Sequence, residues 1–106
     1  MSDVTSIIKD IKDVSTTILK KDITEVKGFS ERQVEAIAKQ TVIITEGIAN
    51  GDIDDELKEF FFNGLKAMAE NFVNTLKGIL SVTLEKLYNA LVDKLWGIIG
   101  GVVWLF

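Results

Sequence analysis

The sequence predicts an all-α fold. Apolar residues recur at three- and four-residue intervals from Val4 to Leu95. There is no proline to interrupt a helix, so the eight glycines are the only strong local breaks. The pattern resolves into two short amphipathic helices and one long C-terminal helix that can kink at Gly78 or Gly97. They are expected to fold as a helical hairpin or bundle that oligomerises, because 106 residues make one small domain with a modest core. Within that single domain, residues 1–51 form an N-terminal helical hairpin, 52–94 the long amphipathic helix and 95–106 an apolar tail.

The first helix spans about Asp3 to Lys21. Val4, Ile7, Ile11, Val14 and Ile18 make a heptad seam that Ile8 and Leu19 widen. Lys9, Asp10, Lys12, Asp13 and Lys20 occupy its other faces. The seam fits an amphipathic helix packed on its own chain and also a short intermolecular coiled coil. Asp22 to Gly28 reads as a connection or a frayed extension. Ser30 and Gln33 then have capping-box spacing, with Phe29 and Val34 placed as a hydrophobic staple. A second helix therefore starts at Glu31, runs through Val34, Ile37, Ala38, Thr41, Ile44 and Ile48, and stops near Ala49 before Asn50-Gly51.

Asp52 or Asp54 caps the third helix, and Asp54, Asp55, Glu56 and Glu59 suit the positive end of its dipole. Its apolar series runs through Leu57, Phe61, Leu65, Met68, Phe72, Leu76, Ile79, Thr83, Leu87, Leu91 and Leu95. Unbroken, it would be about 63 Å long at 1.5 Å per residue. One small hairpin cannot cover so long a stripe, so Leu80, Leu87, Leu91, Leu95, Ile98 and Val102 are expected to meet another subunit or lipid. Ile7, Ile11, Val14, Val34, Ile37, Ile44, Leu65, Phe72 and Leu76 are expected to form the soluble core.

The tail, LWGIIGGVVWLF, carries no charge. As a helix it reaches about 18 Å, short of a roughly 30 Å hydrocarbon core. Extending it backwards brings in Asp93 and Lys94. Three readings stay open: a membrane-inserting half-span, the centre of a homo-oligomer, or the last core element of the monomer. In the first two, Trp96, Ile99, Trp104 and Phe106 join the contact residues. Phe60, Phe61 and Phe62 cover three successive helical directions, of which two can face inward. The third is either laid over a neighbouring side chain or offered to another protein.

Composition narrows the chemistry. Without histidine or cysteine the chain lacks the commonest general base, the commonest metal ligand and a thiolate nucleophile. Asp52 to Glu56 lacks the alternating ligands of an EF-hand and reads as helix capping. GIIGG lacks the Lys and Ser/Thr of a P-loop. No enzyme activity, cofactor or metal is expected. The net charge is −4, with eight basic and thirteen acidic side chains in residues 1–59 against four and three in 60–106. No basic patch for sequence-specific nucleic-acid binding is visible. Met1 to Ile11 is not a secretory signal peptide, since it lacks a basic n-region and an apolar core.

GFSERQVEAIAKQ (Gly28–Gln40) and DDELKEFFFNGLKAMAENFVNTLKGILSVTLEKLYNALVDKLWG (Asp54–Gly97) together resemble small proteins encoded by tailed bacteriophages. The resemblance implies a phage setting and, within it, a virion component or a membrane-active accessory protein. It transfers no site residues, and the N-terminal seam and the tail after Gly97 fall outside it. The expected function is structural: a virion component making homo-oligomeric helical contacts, as part of an assembly or of a conduit for DNA delivery. Its partners would be copies of itself and other virion proteins. The alternative is a holin-like, pore-forming protein of the host inner membrane. The matching locations are the virion, the host cytoplasm or the inner-membrane surface.

Overall fold

The computed structural model describes residues 3–103, with side chains to Gly100. Four helices follow in order: α1 (Val4–Leu19), α2 (Glu31–Ala49), α3 (Asp55–Thr75) and α4 (Ser81–Val103). A single 3-10 turn, Ile23–Glu25, lies between α1 and α2, and the described residues contain no strand. The all-α class is as predicted. The helices form a compact bundle measuring 42 × 23 × 21 Å. Each packs on the next, α4 closes the ring on α1, and α2 and α4 also touch across the middle.

Asp3 caps α1 by accepting the Ser6 N–H at 2.7 Å. Ile7, Ile11 and Leu19 are buried, and Ser15 takes the inward position between them. Its hydroxyl donates to the Ile11 carbonyl at 2.7 Å, which lets a polar group sit in the core without a desolvation penalty. Val14, expected in the core, is half-buried. The seam packs on α2 and α4 of the same chain. Lys20 ends the helix in the left-handed region at φ 58°, donating its N–H to Thr16. A residue with a Cβ is disfavoured there, so Lys20→Gly is expected to stabilise the fold by about 1 kcal/mol. Urea denaturation checks this, and an unchanged or lower midpoint refutes it.

The connection between α1 and α2 is an ordered part of the core. Ile23 and Val26 are buried in it. Asp22 accepts both the hydroxyl and the backbone N–H of Thr24, which holds its carboxyl below the usual aspartate value. Gly28 has φ +91° and lies directly against the Thr75 carbonyl. Beside it the Lys77 N–H donates to the Lys27 carbonyl at 2.8 Å, and Phe29 meets Phe72 edge-on at 6.1 Å. This strap joins the start of α2 to the end of α3.

Ser30 caps α2 by accepting the Gln33 N–H at 3.2 Å, so the helix begins and ends where the sequence predicts. The Gln33 side chain reaches across to α3 and accepts the Thr75 hydroxyl at 3.2 Å. At the far end Gly51 takes φ +80°. The Asp52 and Ile53 N–H groups then donate to the Gly47 carbonyl at 2.8 and 3.0 Å. Asp54 caps α3 by accepting the Leu57 N–H at 2.9 Å.

The expectation of one long third helix is corrected. It ends at Thr75, Leu76 turns to an extended conformation, and Gly78 has φ +75°. The Leu80 carbonyl accepts the N–H groups of Thr83 and Leu84 as α4 begins. α4 then returns antiparallel to α3, with Phe62 beside Trp96 at one end and Val73 with Leu84 near the turn. Leu87, Leu91, Leu95 and Ile99 are all fully buried along it. Each such burial contributes about 1.5–3 kcal/mol, which a straight helix would forgo unless something else covered the stripe. α4 passes through Gly97 without a break, with Leu95 and Ile99 buried in the bundle.

Candidate functional site

Folding back places the expected contact residues in different surroundings. Leu87, Leu91, Leu95 and Ile99 lie in the chain's own core, which corrects the expectation that they line a subunit or lipid contact. Ile98 is half-buried against that core. Leu80 is 74% exposed at the α3–α4 turn, with Val82 exposed beside it. Trp96 is 45% exposed. The side chain of Val102, and the whole of Trp104 and Phe106, lie outside the described residues.

The three phenylalanines separate as their helical directions require. Phe62 is buried, Phe61 is half-buried, and Phe60 is 68% exposed. Phe60 stands edge-on to Phe61 at 5.5 Å, so its ring is held at the rim of a groove. This groove runs along the outer seam of α2 and α3. Its wider part is lined by Gln40, Phe60, Phe61, Asn63, Gly64 and Met68 and has a volume near 500 Å³. It continues between Gln33, Ala36, Ile37, Met68 and Asn71. No charged side chain lines either part, in a chain of which 26% is charged. Leu57 and Ile43 extend the exposed apolar surface, Leu57 one turn before Phe60 and Ile43 one turn after Gln40.

Gly64 is an exposed part of the groove lining. A Cβ built there meets nothing within 4 Å. One turn before it stands Phe60, on the same face of α3. Sequence reasoning singled out Phe60, Phe61 and Phe62 together, without deciding which of them faces outward. It did not find the groove, because a groove between two helices depends on their mutual packing.

Two other surface features flank α3. On its far side the Trp96 ring packs on Phe62 at 4.7 Å, and Lys58 Nζ lies 5.5 Å from the Trp96 centroid. This cation–π contact and the ring packing account for Trp96 within the chain. Near the α3–α4 turn, Glu70, Val73, Asn74, Ser81, Leu84, Glu85 and Tyr88 line an open cleft of about 320 Å³.

Among the described residues no group of three acidic side chains is placed to hold a metal ion. Every buried side-chain nitrogen or oxygen there has a hydrogen-bond partner, so no polar group stands poised in the interior. No described helix is long and apolar enough to cross a membrane. No protein-family model matches the chain, and the curated proteins and solved structures compared with it yield no match either.

Proposed function

We propose that the chain is a non-catalytic helical assembly protein that works by docking its α2/α3 face onto other helices, copies of itself first among them. The observation that carries this reading is the charge-free groove with Phe60 held 68% exposed at its rim. Exposing a large aromatic beside a groove forgoes burial energy that an inward turn would recover, and aromatic residues are enriched where proteins meet. The phage setting rests on the pattern of residues 28–40 and 54–97, and a small virion component fits both that pattern and the docking face.

The test is the native mass of the purified chain without detergent. A discrete soluble oligomer is expected, built from units of 11.8 kDa and unchanged when lipid vesicles are added. A chain that stays monomeric at millimolar concentration, or that associates only with the vesicles, removes this reading.

A further inference from the structure

We infer that the α3–α4 turn is an exchange hinge: it opens into one continuous helix, and in a pair of chains each α4 takes the other's place in the bundle. Three features of the turn carry this. α1, α2 and α3 each begin with a side-chain cap, from Asp3, Ser30 and Asp54. α4 begins after Leu80, whose side chain has no acceptor to cap it. The turn depends on Gly78 at φ +75°, and nothing packs within 4 Å of its Cβ position to lock it. The helical repeat also runs straight through, so that Leu76, Leu80, Thr83 and Leu87 share one face of a continuous helix. Leu80, 74% exposed, is the member of that face which the closed turn leaves uncovered.

The register of the hairpin specifies the occupant. Phe62 stands beside Trp96, and Val73 shares a cleft with Leu84. Both pairs are centred on Gly78 and Ile79. A two-fold axis through that point sets two opened chains antiparallel, with each α3 against the other's α4 in the register it already has. Leu87, Leu91, Leu95 and Ile99 are then buried in the same surroundings as in the closed chain. Only the hinge differs. The backbone groups at the end of α3 and the start of α4 bond to one another as residues 76–80 become helical. Leu80 of one copy crosses the partner's Gly78, where the missing Cβ admits it. The Lys77–Lys27 backbone bond is lost in return. Exchange requires α4 to leave the core, so it takes place as chains fold together at high concentration. It leaves the α2/α3 face free and does not rest on the docking reading.

Refolding of the full chain from denaturant at millimolar concentration, followed by sedimentation, tests the hinge. Wild type is expected to give a dimer of twice 11.8 kDa beside the monomer. Gly78→Ala disfavours the left-handed turn and favours helix, so its association constant should rise at least a hundredfold. Gly51→Ala carries similar strain at φ +80° in open space, but Asp54 caps the helix that follows, so it should associate as wild type does. Leu80→Asp gives α4 a cap and places a charge at the axis, so it should refold to a monomer with a thermal midpoint no lower than wild type. The chain has no cysteine. In the Gly78→Ala background, a refolded equimolar mixture of Glu70→Cys and Glu85→Cys chains should therefore be joined by a short bis-maleimide, because both positions line the one cleft between α3 and α4. Refolding of wild type to monomer alone, no more dimer from Gly78→Ala than from Gly51→Ala, or a dimer that does not cross-link overturns the exchange. A dimer that Phe60→Ser abolishes and that does not cross-link does so too, while leaving the docking reading standing.

Discussion

Gly28→Ala is expected to destabilise the folded chain by about 2–4 kcal/mol, a large share of the stability of so small a domain. Two effects add. Gly28 holds φ +91°, where any residue with a Cβ is disfavoured by about 1–2 kcal/mol. The new Cβ would also fall onto the Thr75 carbonyl, a backbone group fixed at the last turn of α3, so the strap must move away. That movement strains the Lys77–Lys27 backbone bond and the Phe29–Phe72 contact. Denaturant unfolding of the variant beside wild type measures the loss. Gly51→Ala is the internal control: it has a similar positive φ of 80° but open space around it, so it should lose only the conformational part. Equal losses at the two positions would show that the close approach to Thr75 contributes nothing.

Leu95→Ala is expected to cost about 2–5 kcal/mol, because it removes a fully buried side chain and leaves a cavity. For a domain of this size each kcal/mol lowers the thermal midpoint by roughly 4–8 °C. The loss should be the same at micromolar and at millimolar protein, since Leu95 is covered by its own chain. If the midpoint of the variant recovers as concentration rises, Leu95 is buried between subunits and the placement of α4 inside the bundle is wrong. Phe60→Ser gives the opposite expectation: little change in the dilute midpoint and a large change in association. The two variants together separate the residues that fold the chain from those that present it to a partner.

Much of the local structure was legible in the residues. Ser30 and Asn50-Gly51 bounded α2 correctly, because caps satisfy backbone groups within a few residues of themselves. The start of α3 was narrowed to Asp52 or Asp54 for the same reason, and the structure takes Asp54. Ile7, Ile11, Val34, Ile37, Ile44, Leu65, Phe72 and Leu76 are all buried, as their spacing implied. The end of α3 was not legible. The series Phe72, Leu76, Ile79, Thr83 and Leu87 keeps helical spacing straight through the turn, so periodicity carries no mark of it. Gly78 was the single local hint. The burial of Ile23 and Val26 was missed as well, since a connection of mixed polarity shows no period.

The apolar surface left over after folding lies elsewhere than the greasy C-terminal series suggests. α4 covers its own leucines, and the uncovered groups collect on α2, α3 and the α3–α4 turn. Phe60 was recognisable as one of a crowded trio, whereas its relation to Gly64 and Gln40 arises from how two helices lie side by side.

By itself the amino-acid order determined that this chain is helical, where α2 starts and stops, where α3 starts, and which side of each helix turns inward. Those are short-range properties, set by caps, dipoles and the 3.6-residue repeat. Only the tertiary structure decided that the last apolar series is two helices, that the second lies inside the bundle, and that an uncharged groove runs beside an exposed ring. Burial depends on residues far apart in the chain, and an apolar stripe looks the same from the sequence whether its cover comes from its own chain, another copy or a bilayer.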